Sequence, residues 1–483
     1  MTDLAVRTRD TGLAIRTLDG ANKRISHDIV TALRSKLRGT VALPGEDGYE
    51  AARTIWNAMI DRKPALVVRC LGATDVMNAV KLACDEKLLV AVRGGGHNIA
   101  GNAVCDGGLL IDLSLMKSVH VDAAARTARV EAGALLSDFD KEAQAFGLAT
   151  PLGINSTTGV AGLTLGGGFG WTTRKFGLTV DNLLSADVVT ADAKLVRASP
   201  TEHPDLFWAL RGGGGNFGVV TSFEFKLHPL GPEVLSGLVV HQFEDASHLL
   251  TEFRRIAKEA PDELTTWVVM RKAPPLPFLP TEWHGKEVFI FAACYSGDMQ
   301  DGEKAVTALR ALGKPIVDVI SPHPFTGWQT AFDPLLTPGA RNYWKSHDFA
   351  DLPDAAIKEI LNAVSRLPSP ECEVFIAHVG GAMARVPANA TAWPNRDAHF
   401  IMNAHTRWRD KAQDAACIAW ARQLSDATAP FASGSVYINF MPDDEHNRVE
   451  NAYGANYQRL AEIKRRYDPH NLFRLNQNIR PAP

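Results

Sequence analysis

The chain has 483 residues, 46% of them apolar and 22% charged, a globular composition that excludes long disordered or collagen-like stretches. Lysine plus arginine come to 51 and aspartate plus glutamate to 54, a formal charge of −3 with no block of one sign, so neither nucleic acid nor an anionic membrane is an expected partner. One hydrophobic core rarely grows past ~250–300 residues, so two domains are expected.

The N-terminus, MTDLAVRTRDTGLAIRTLDG, carries acidic residues and no apolar run of signal-peptide length, and no later segment approaches the ~20 apolar residues of a membrane span. A cytoplasmic protein is expected. The six cysteines (Cys70, Cys84, Cys105, Cys294, Cys372, Cys417) are scattered without a CxxC pair, several inside apolar runs, which predicts buried free thiols rather than disulfides.

Residues 65–70, ALVVRC, predict a buried strand and 88–93, LLVAVR, a second. Between them Val76, Ala79, Val80, Ala83 and Cys84 recur at helical spacing behind Thr74 as N-cap, completing a βαβ unit. The second strand runs directly into Arg93-Gly94-Gly95-Gly96-His97-Asn98. This puts a glycine loop at the carboxyl end of a strand, where open α/β sheets bind ligands. From about 109 to 230 the pattern changes to short strands and turns with one amphipathic helix near 135–146. Two further glycine segments follow, GVAGLTLGGGFG at 159–170 and RGGGGNFG at 211–218.

Glycine lets backbone N–H groups approach a ligand closely and form an anion-binding nest, so one bulky dinucleotide accounts for all three loops, whereas tight turns alone would have to arise three times. A Rossmann site would place GxGxxG after the first strand of the βαβ unit and open a helix. Here RGGGHN follows the second strand, and the residues beyond it read as turns, which argues against a nicotinamide dinucleotide. His97 stands among these glycines with no second histidine or carboxylate at metal-ligand spacing, so no metal site is expected. A lone histidine is often just a polar residue, but an imidazole nitrogen can attack the ring methyl of an oxidised flavin and anchor that cofactor covalently.

After His228-Pro229-Leu230-Gly231-Pro232, apolar strands at 234–243, 264–271, 287–296, 372–379 and 398–408 alternate with amphipathic helices near 246–260, 300–312, 353–367 and 410–425. This region is expected to be α+β, a sheet covered by helices on one face, and KAPPLPFLP at 272–280 a loop that could form a lid or rim. In AHFIMNAHTRW a period of two puts Asn403 and His405 on one face and Met402 and Ala404 on the other. SVYINF likewise aligns Tyr437 with Asn439 on a strand face, and YWKSH aligns Tyr343, Lys345 and His347. Residues 443–469 are predicted helical, ended by Asp468-Pro469, with LFRLNQNIRPAP as a tail.

The segments RGGGHN, GVAGLTLGGGFGW, DLFWALRGGGGNFGVVTSFEFKL and YINF…YGANYQRLAEIKRRYDPHNLFRLNQNI occur in that order. Together, over about residues 60 to 480, they resemble the FAD-linked oxidases of the vanillyl-alcohol oxidase type, in the berberine-bridge-enzyme-like branch. The resemblance implies an α+β, two-domain PCMH-type FAD-binding fold. In it an inserted α+β substrate domain at 231–439 separates an FAD-binding domain at 1–230 from a C-terminal segment at 440–483 that returns to it. It implies FAD as cofactor, bonded to His97. The cofactor-binding residues it implies are Arg93, Gly94, Gly95, Gly96 and Asn98 in the first loop, and Asn155, Thr157, Thr158, Gly159, Gly162, Leu163, Gly166, Gly167, Gly168 and Gly170 in the second. Gly215, Gly218, Val219 and Val220 in the third segment and Asn476 and Asn478 in the tail complete the set.

Many members of this branch attach FAD a second time through a cysteine at the position of Asn155. Its absence implies a single bond and the monocovalent subgroup resembling 6-hydroxy-D-nicotine oxidase. Thr158 matches the position that gates dioxygen, and a small residue there implies an oxidase. A catalytic glutamate of berberine-type enzymes falls at Asn403, which cannot act as a base. His405, with an ordinary pKa of ~6.5, becomes the candidate base, against the alternative of a hydrogen-bonded sheet residue. The family's Tyr-x-Asn motif matches Tyr437 and Asn439, with Tyr437 a candidate base or oxyanion donor, and Phe440 stands where some members have a second tyrosine.

The implied reaction takes a hydride from an alcohol or amine carbon of a small organic substrate (alkaloid, sugar, phenolic or polyketide) and reduces dioxygen to hydrogen peroxide. The alternatives are a flavin-dependent dehydrogenase of the same fold, an NAD-dependent dehydrogenase, and a ligand-binding protein with a decayed flavin site. The intact His97 and glycine loops argue against the last of these.

Overall fold

The computed structural model describes residues 12–483, so the expectation of no leader, as far as it concerns residues 1–11, lies outside the described residues. The first sheet has four strands in the order Thr40–Ala42, Leu66–Arg69, Leu109–Asp112, Val90–Arg93, the last three parallel. Leu66, Val67, Val68, Leu109, Leu110 and Ile111 are fully buried, as the interior strands of a covered parallel sheet must be. Helix Ala73–Glu86 makes the expected crossover, but Leu109–Asp112 lies between the two strands of the predicted unit. The helix is capped at Gly72 rather than Thr74. The buried Asp75 carboxylate instead receives the backbone N–H groups of Arg38, Gly39 and Leu71.

A second, antiparallel sheet orders Leu195–Ala198, Leu183–Val189, Val219–Lys226, Thr127–Glu131 and Val119–Asp122. Its core is continuous with that of the first sheet and also takes in Val436, Ile438, Tyr453, Leu460, Phe473 and Ile479, so the end of the chain packs back on its first half. The predicted helix over 443–469 is broken. Val449–Tyr453 and Tyr457–Tyr467 are separate helices because Gly454, at φ 48°, turns the backbone out of the helical region. Lys464 in the second of these is wholly buried. It donates to Asp468 Oδ2 (2.7 Å) and to the carbonyls of Asn216 (2.6 Å) and Phe473 (2.9 Å), tying the tail to the third glycine loop.

The region after Pro232 is built on an eight-stranded sheet. Its main order is Val317–Asp318, Glu233–Gln242, Glu287–Tyr295, Leu264–Lys272, Glu373–His378, Phe400–Trp408 and Arg341–Phe349, with Ser321–Pro324 pairing Glu233–Gln242. The five predicted strands are present, and Arg341–Phe349 adds a long strand not predicted as one. Helices Ala246–Glu259, Met299–Arg310, Asp354–Val364 and Asp414–Thr428 share a core with Val268, Met270, Phe291, Met402 and Ala404 on one sheet face. The other face presents Trp267, Phe375 and Ile401 to Phe169, Trp171 and Tyr437. Residues 274–280 run without helix or strand, as expected. All six cysteines are free. Five are buried, and Cys84 is exposed, against expectation. Among the described residues no helix is long and apolar enough to cross a membrane.

Candidate functional site

A cavity of about 730 Å³ lies between the uncovered face of the large sheet and the glycine loops, within the ~300–1,000 Å³ usual for ligand pockets. Gly95 and Gly159 meet backbone to backbone, so that a Cβ on either would strike the other, which brings the first two loops into one wall. A Cβ on Gly162 or Gly215 would meet nothing within 4 Å, because both open into the cavity. Asn102 Nδ2, Asn476 Oδ1 and Gln477 Oε1 belong to lining residues and are buried without a partner, a cost of ~1–3 kcal/mol each that a polar ligand would relieve. Room along the glycine walls with unpaired polar atoms at one end fits an extended dinucleotide such as FAD.

Of the other residues expected to bind the cofactor, Gly94, Gly96, His97, Asn98, Asn155, Thr158, Leu163, Gly218, Val219 and Val220 line the cavity. Arg93 does not. Its guanidinium turns to the carbonyls of Ala51 and Ala52. The turn glycines Gly166, Gly167, Gly168 and Gly170 lie outside the lining too, packed against Asn439, Trp393, Thr179 and the Leu152 carbonyl respectively. Asn478 opens on a neighbouring cavity beside Arg16 and Arg480, and Thr157 stands behind His97.

The His97 ring stacks on Trp56 at 5.0 Å and 21°, and its Nε2 lies 3.0 Å from Thr157 Oγ1. Burial drives its pKa down to about 3, against a smaller upward pull from the backbone of Thr157, so the imidazole is neutral at pH 7. A neutral ring keeps a lone pair for bond formation.

His405 and Asn403 share the cavity-side face of their strand while Met402 and Ala404 join the helix-side core, as the alternation predicts. His405 lines the cavity, and its Nδ1 lies 2.9 Å from Glu373 Oε1. Glu373 Oε2 in turn accepts from Arg271 Nη1 at 2.6 Å. Burial alone would raise the Glu373 carboxyl. The Arg271 charge and the hydrogen bond to His405 outweigh it and hold the group at about 2. An ionised Glu373 only accepts, so Nδ1 carries the hydrogen and Nε2 is the basic nitrogen. Asn403 is fully covered, outside the lining, with both amide atoms unpartnered.

Tyr437 and Asn439 do come together, but not on a strand. Ile438–Phe440 is a 3₁₀ turn. Asn439 Nδ2 donates to Tyr437 Oη at 2.8 Å and Gly168 N–H at 3.2 Å, so the hydroxyl's own hydrogen is left to point elsewhere. Burial pushes this phenol up to about 12, which suits a donor and not a base. Phe440 lines the cavity, edge-on to Tyr437 at 4.8 Å.

Sequence reasoning missed Glu373, Arg271, Trp56 and Trp344. Trp344 pairs directly across from His405, and opposite residues of an antiparallel pair share a face. Tyr343, Lys345 and His347 therefore point away from the cavity, and Tyr343 bonds Asp444 instead. The available signal was a charged residue at one end of each of two interior strands, Arg271 in Leu264–Lys272 and Glu373 in Glu373–His378. Trp344 and Trp56 meet edge to face at 5.8 Å, so aromatic contacts run unbroken from His97 to His405.

Known families match at both ends of the chain: the FAD binding domain family over residues 64–199 and the berberine and berberine-like family over residues 436–480. The chain is 33% identical over 468 residues to (R)-6-hydroxynicotine oxidase of Paenarthrobacter nicotinovorans, covering 92% of this chain and 97% of that one. It is 32% identical over 460 residues to an uncharacterized FAD-linked oxidoreductase of Bacillus subtilis, covering 93% and 98%. The crystal structure of 6-hydroxy-D-nicotine oxidase from Arthrobacter nicotinovorans superposes with a TM-score of 0.83 at 31% identity, covering 92% of this chain and 98% of that one.

Proposed function

Because the chain belongs to the berberine and berberine-like family of FAD-dependent oxidoreductases, we propose that it oxidises an alcohol or amine carbon of an apolar, aromatic small molecule and passes the electrons to dioxygen, giving hydrogen peroxide. In this reading one covalent bond to His97 holds the FAD. Residues 1–230 with 440–483 form the flavin unit and 231–439 the substrate unit.

The observation that carries the substrate class is the wall opposite the glycine loops. It is formed by Trp171, Trp267, Trp328, Phe332, Phe375 and Phe440, and the only carboxylate and guanidinium in the lining among the described residues, Glu373 and Arg271, are paired with each other. The ring faces stack on a planar aromatic substrate, whereas most hydroxyls of an oligosaccharide would lose water against them, at ~1–3 kcal/mol for each left unpaired. A phenol, an alkaloid or an aromatic polyketide buries its rings there. The hydroxynicotine in the name of the 33% identical relative is a substrate of the same class.

Bound FAD supplies the hydride acceptor and hands the electrons on. His405 Nε2 takes the proton of the substrate hydroxyl or amine, and Glu373, fixed by Arg271, holds the ring in the tautomer that can do so. Tyr437 offers its O–H to the substrate heteroatom. The aromatic wall keeps water from the developing charge.

The test is anaerobic bleaching of the flavin absorbance in the purified holoenzyme. Aromatic alcohols and hydroxylated nitrogen heterocycles should bleach it and neutral oligosaccharides should not. Bleaching by oligosaccharides alone would overturn the assignment. Thr158, at the cavity wall, supports a dioxygen gate. Thr158→Leu should leave anaerobic reduction near wild type and slow reoxidation by about tenfold, ~1.4 kcal/mol of barrier. Stopped-flow mixing with oxygenated buffer measures this, and an unchanged rate would remove Thr158 from the oxygen path.

A further inference from the structure

We propose that Asn155 and Thr157 are a positioning pair that fixes the His97 proton on Nε2 and so leaves Nδ1 bare as the nitrogen that bonds the FAD. The proposal rests on the reading of His97 as the covalent anchor.

Hydrogen-bond polarity carries the argument. The Thr157 backbone N–H can only donate, and it lies 3.0 Å from Asn155 Oδ1, so that side-chain atom is the acceptor oxygen and the amide cannot be flipped. Thr157 Oγ1 lies 2.7 Å from the same oxygen, and its single hydrogen must go there. Only lone pairs then remain on Oγ1 to face His97 Nε2 at 3.0 Å, so Nε2 carries the hydrogen. A neutral imidazole has one N–H. Nδ1 is therefore the free base.

The surroundings hold this arrangement in place. Trp56 stacks on the ring and opposes its rotation. The 155–158 turn closes on itself through Thr158 N–H to the Asn155 carbonyl at 3.1 Å. It is also pinned from the substrate side, where Asp333 takes the Ser156 N–H at 3.0 Å and its hydroxyl at 2.5 Å. With the opposite tautomer, Nδ1 would carry hydrogen and present no lone pair. In net terms the bonding step loses one flavin ring-methyl C–H and the imidazole N–H and forms one C–N bond. Dioxygen takes the two electrons and two protons and leaves as hydrogen peroxide.

Thr157→Val keeps the shape and removes the hydroxyl, and Thr157→Ser restores it. Full-length protein is to be incubated with FAD in air and sampled over time, then denatured, with covalent flavin read by in-gel fluorescence and mass and total flavin before denaturation read by absorbance. Thr157→Val should attach flavin roughly 10–100-fold more slowly at undiminished total binding, the range for losing a hydrogen-bonded orienting partner, with Thr157→Ser near wild type. If Thr157→Val does not fold, Asn155→Leu against Asn155→Asp gives the same contrast, since only the carboxylate keeps an acceptor. Equal attachment rates in Thr157→Val and wild type overturn this proposal alone. A wild-type chain without covalent flavin overturns the anchor reading, and this proposal with it.

Discussion

His405→Ala is expected to slow reduction of the bound flavin by substrate roughly 10²–10⁴-fold, the usual cost of losing a general base, while leaving the spectrum of the resting protein unchanged. The histidine reaches the cavity with its Nδ1 on an ionised Glu373, so the proton acceptor is Nε2. Glu373→Gln tests the orientation separately. An amide can present N–H to Nδ1 and stabilise the wrong tautomer, so reduction should fall by a similar order with substrate binding little changed. Glu373 lies below its ordinary 4.5, so its favourable pairing is complete above that value and is lost only as the pH falls toward about 2. A rate profile between pH 5 and 9 therefore lies wholly above the range in which Glu373 takes up its proton. Anaerobic stopped-flow reduction is the measurement, and a loss under about tenfold for His405→Ala would take the base role from it.

The second large effect is all or none. Denatured wild-type protein should weigh one FAD more than its 52.4 kDa chain, with the flavin-bearing peptide mapping to His97. His97→Ala should fold and hold FAD through the glycine walls, because Gly95, Gly159, Gly162 and Gly215 shape that space without the imidazole. On denaturation it should release all of it. Flavin mapped to another residue, or no added mass on the wild-type chain, would sink the assignment.

Much of this was legible in the chain because period and glycine placement carry it. The alternation in AHFIMNAHTRW set His405 and Asn403 on the face opposite Met402 and Ala404, the family resemblance turned that face to the flavin, and three glycine segments marked the opposite wall. What escaped was cross-strand register. YWKSH alternates whichever face is buried, and only its pairing with Phe400–Trp408 decides that Trp344, not Tyr343, looks into the cavity. Glu373 became recognisable only once Arg271 and His405 stood beside it, from residues 102 and 32 positions away. Tyr437 and Asn439 were paired for the wrong reason, since a 3₁₀ turn and not a strand brings them together. Asn155 read as a missing thiol. That its carboxamide orients Thr157 is a statement about hydrogen-bond direction, which no residue pattern encodes.

The buried Lys464 has a consequence for biosynthesis. It grips Asn216 across 248 residues of sequence, and Asn216 is held further by the N–H of Ile479 and the carbonyl of Gln477. At ~5–20 residues per second, the ribosome makes Asn216 roughly 10–50 s before Lys464 emerges, and through that interval the third glycine loop lacks its brace. Cofactor capture is therefore expected only after the chain has left the ribosome. A chain clipped near residue 460 should keep a folded eight-stranded sheet and remain colourless.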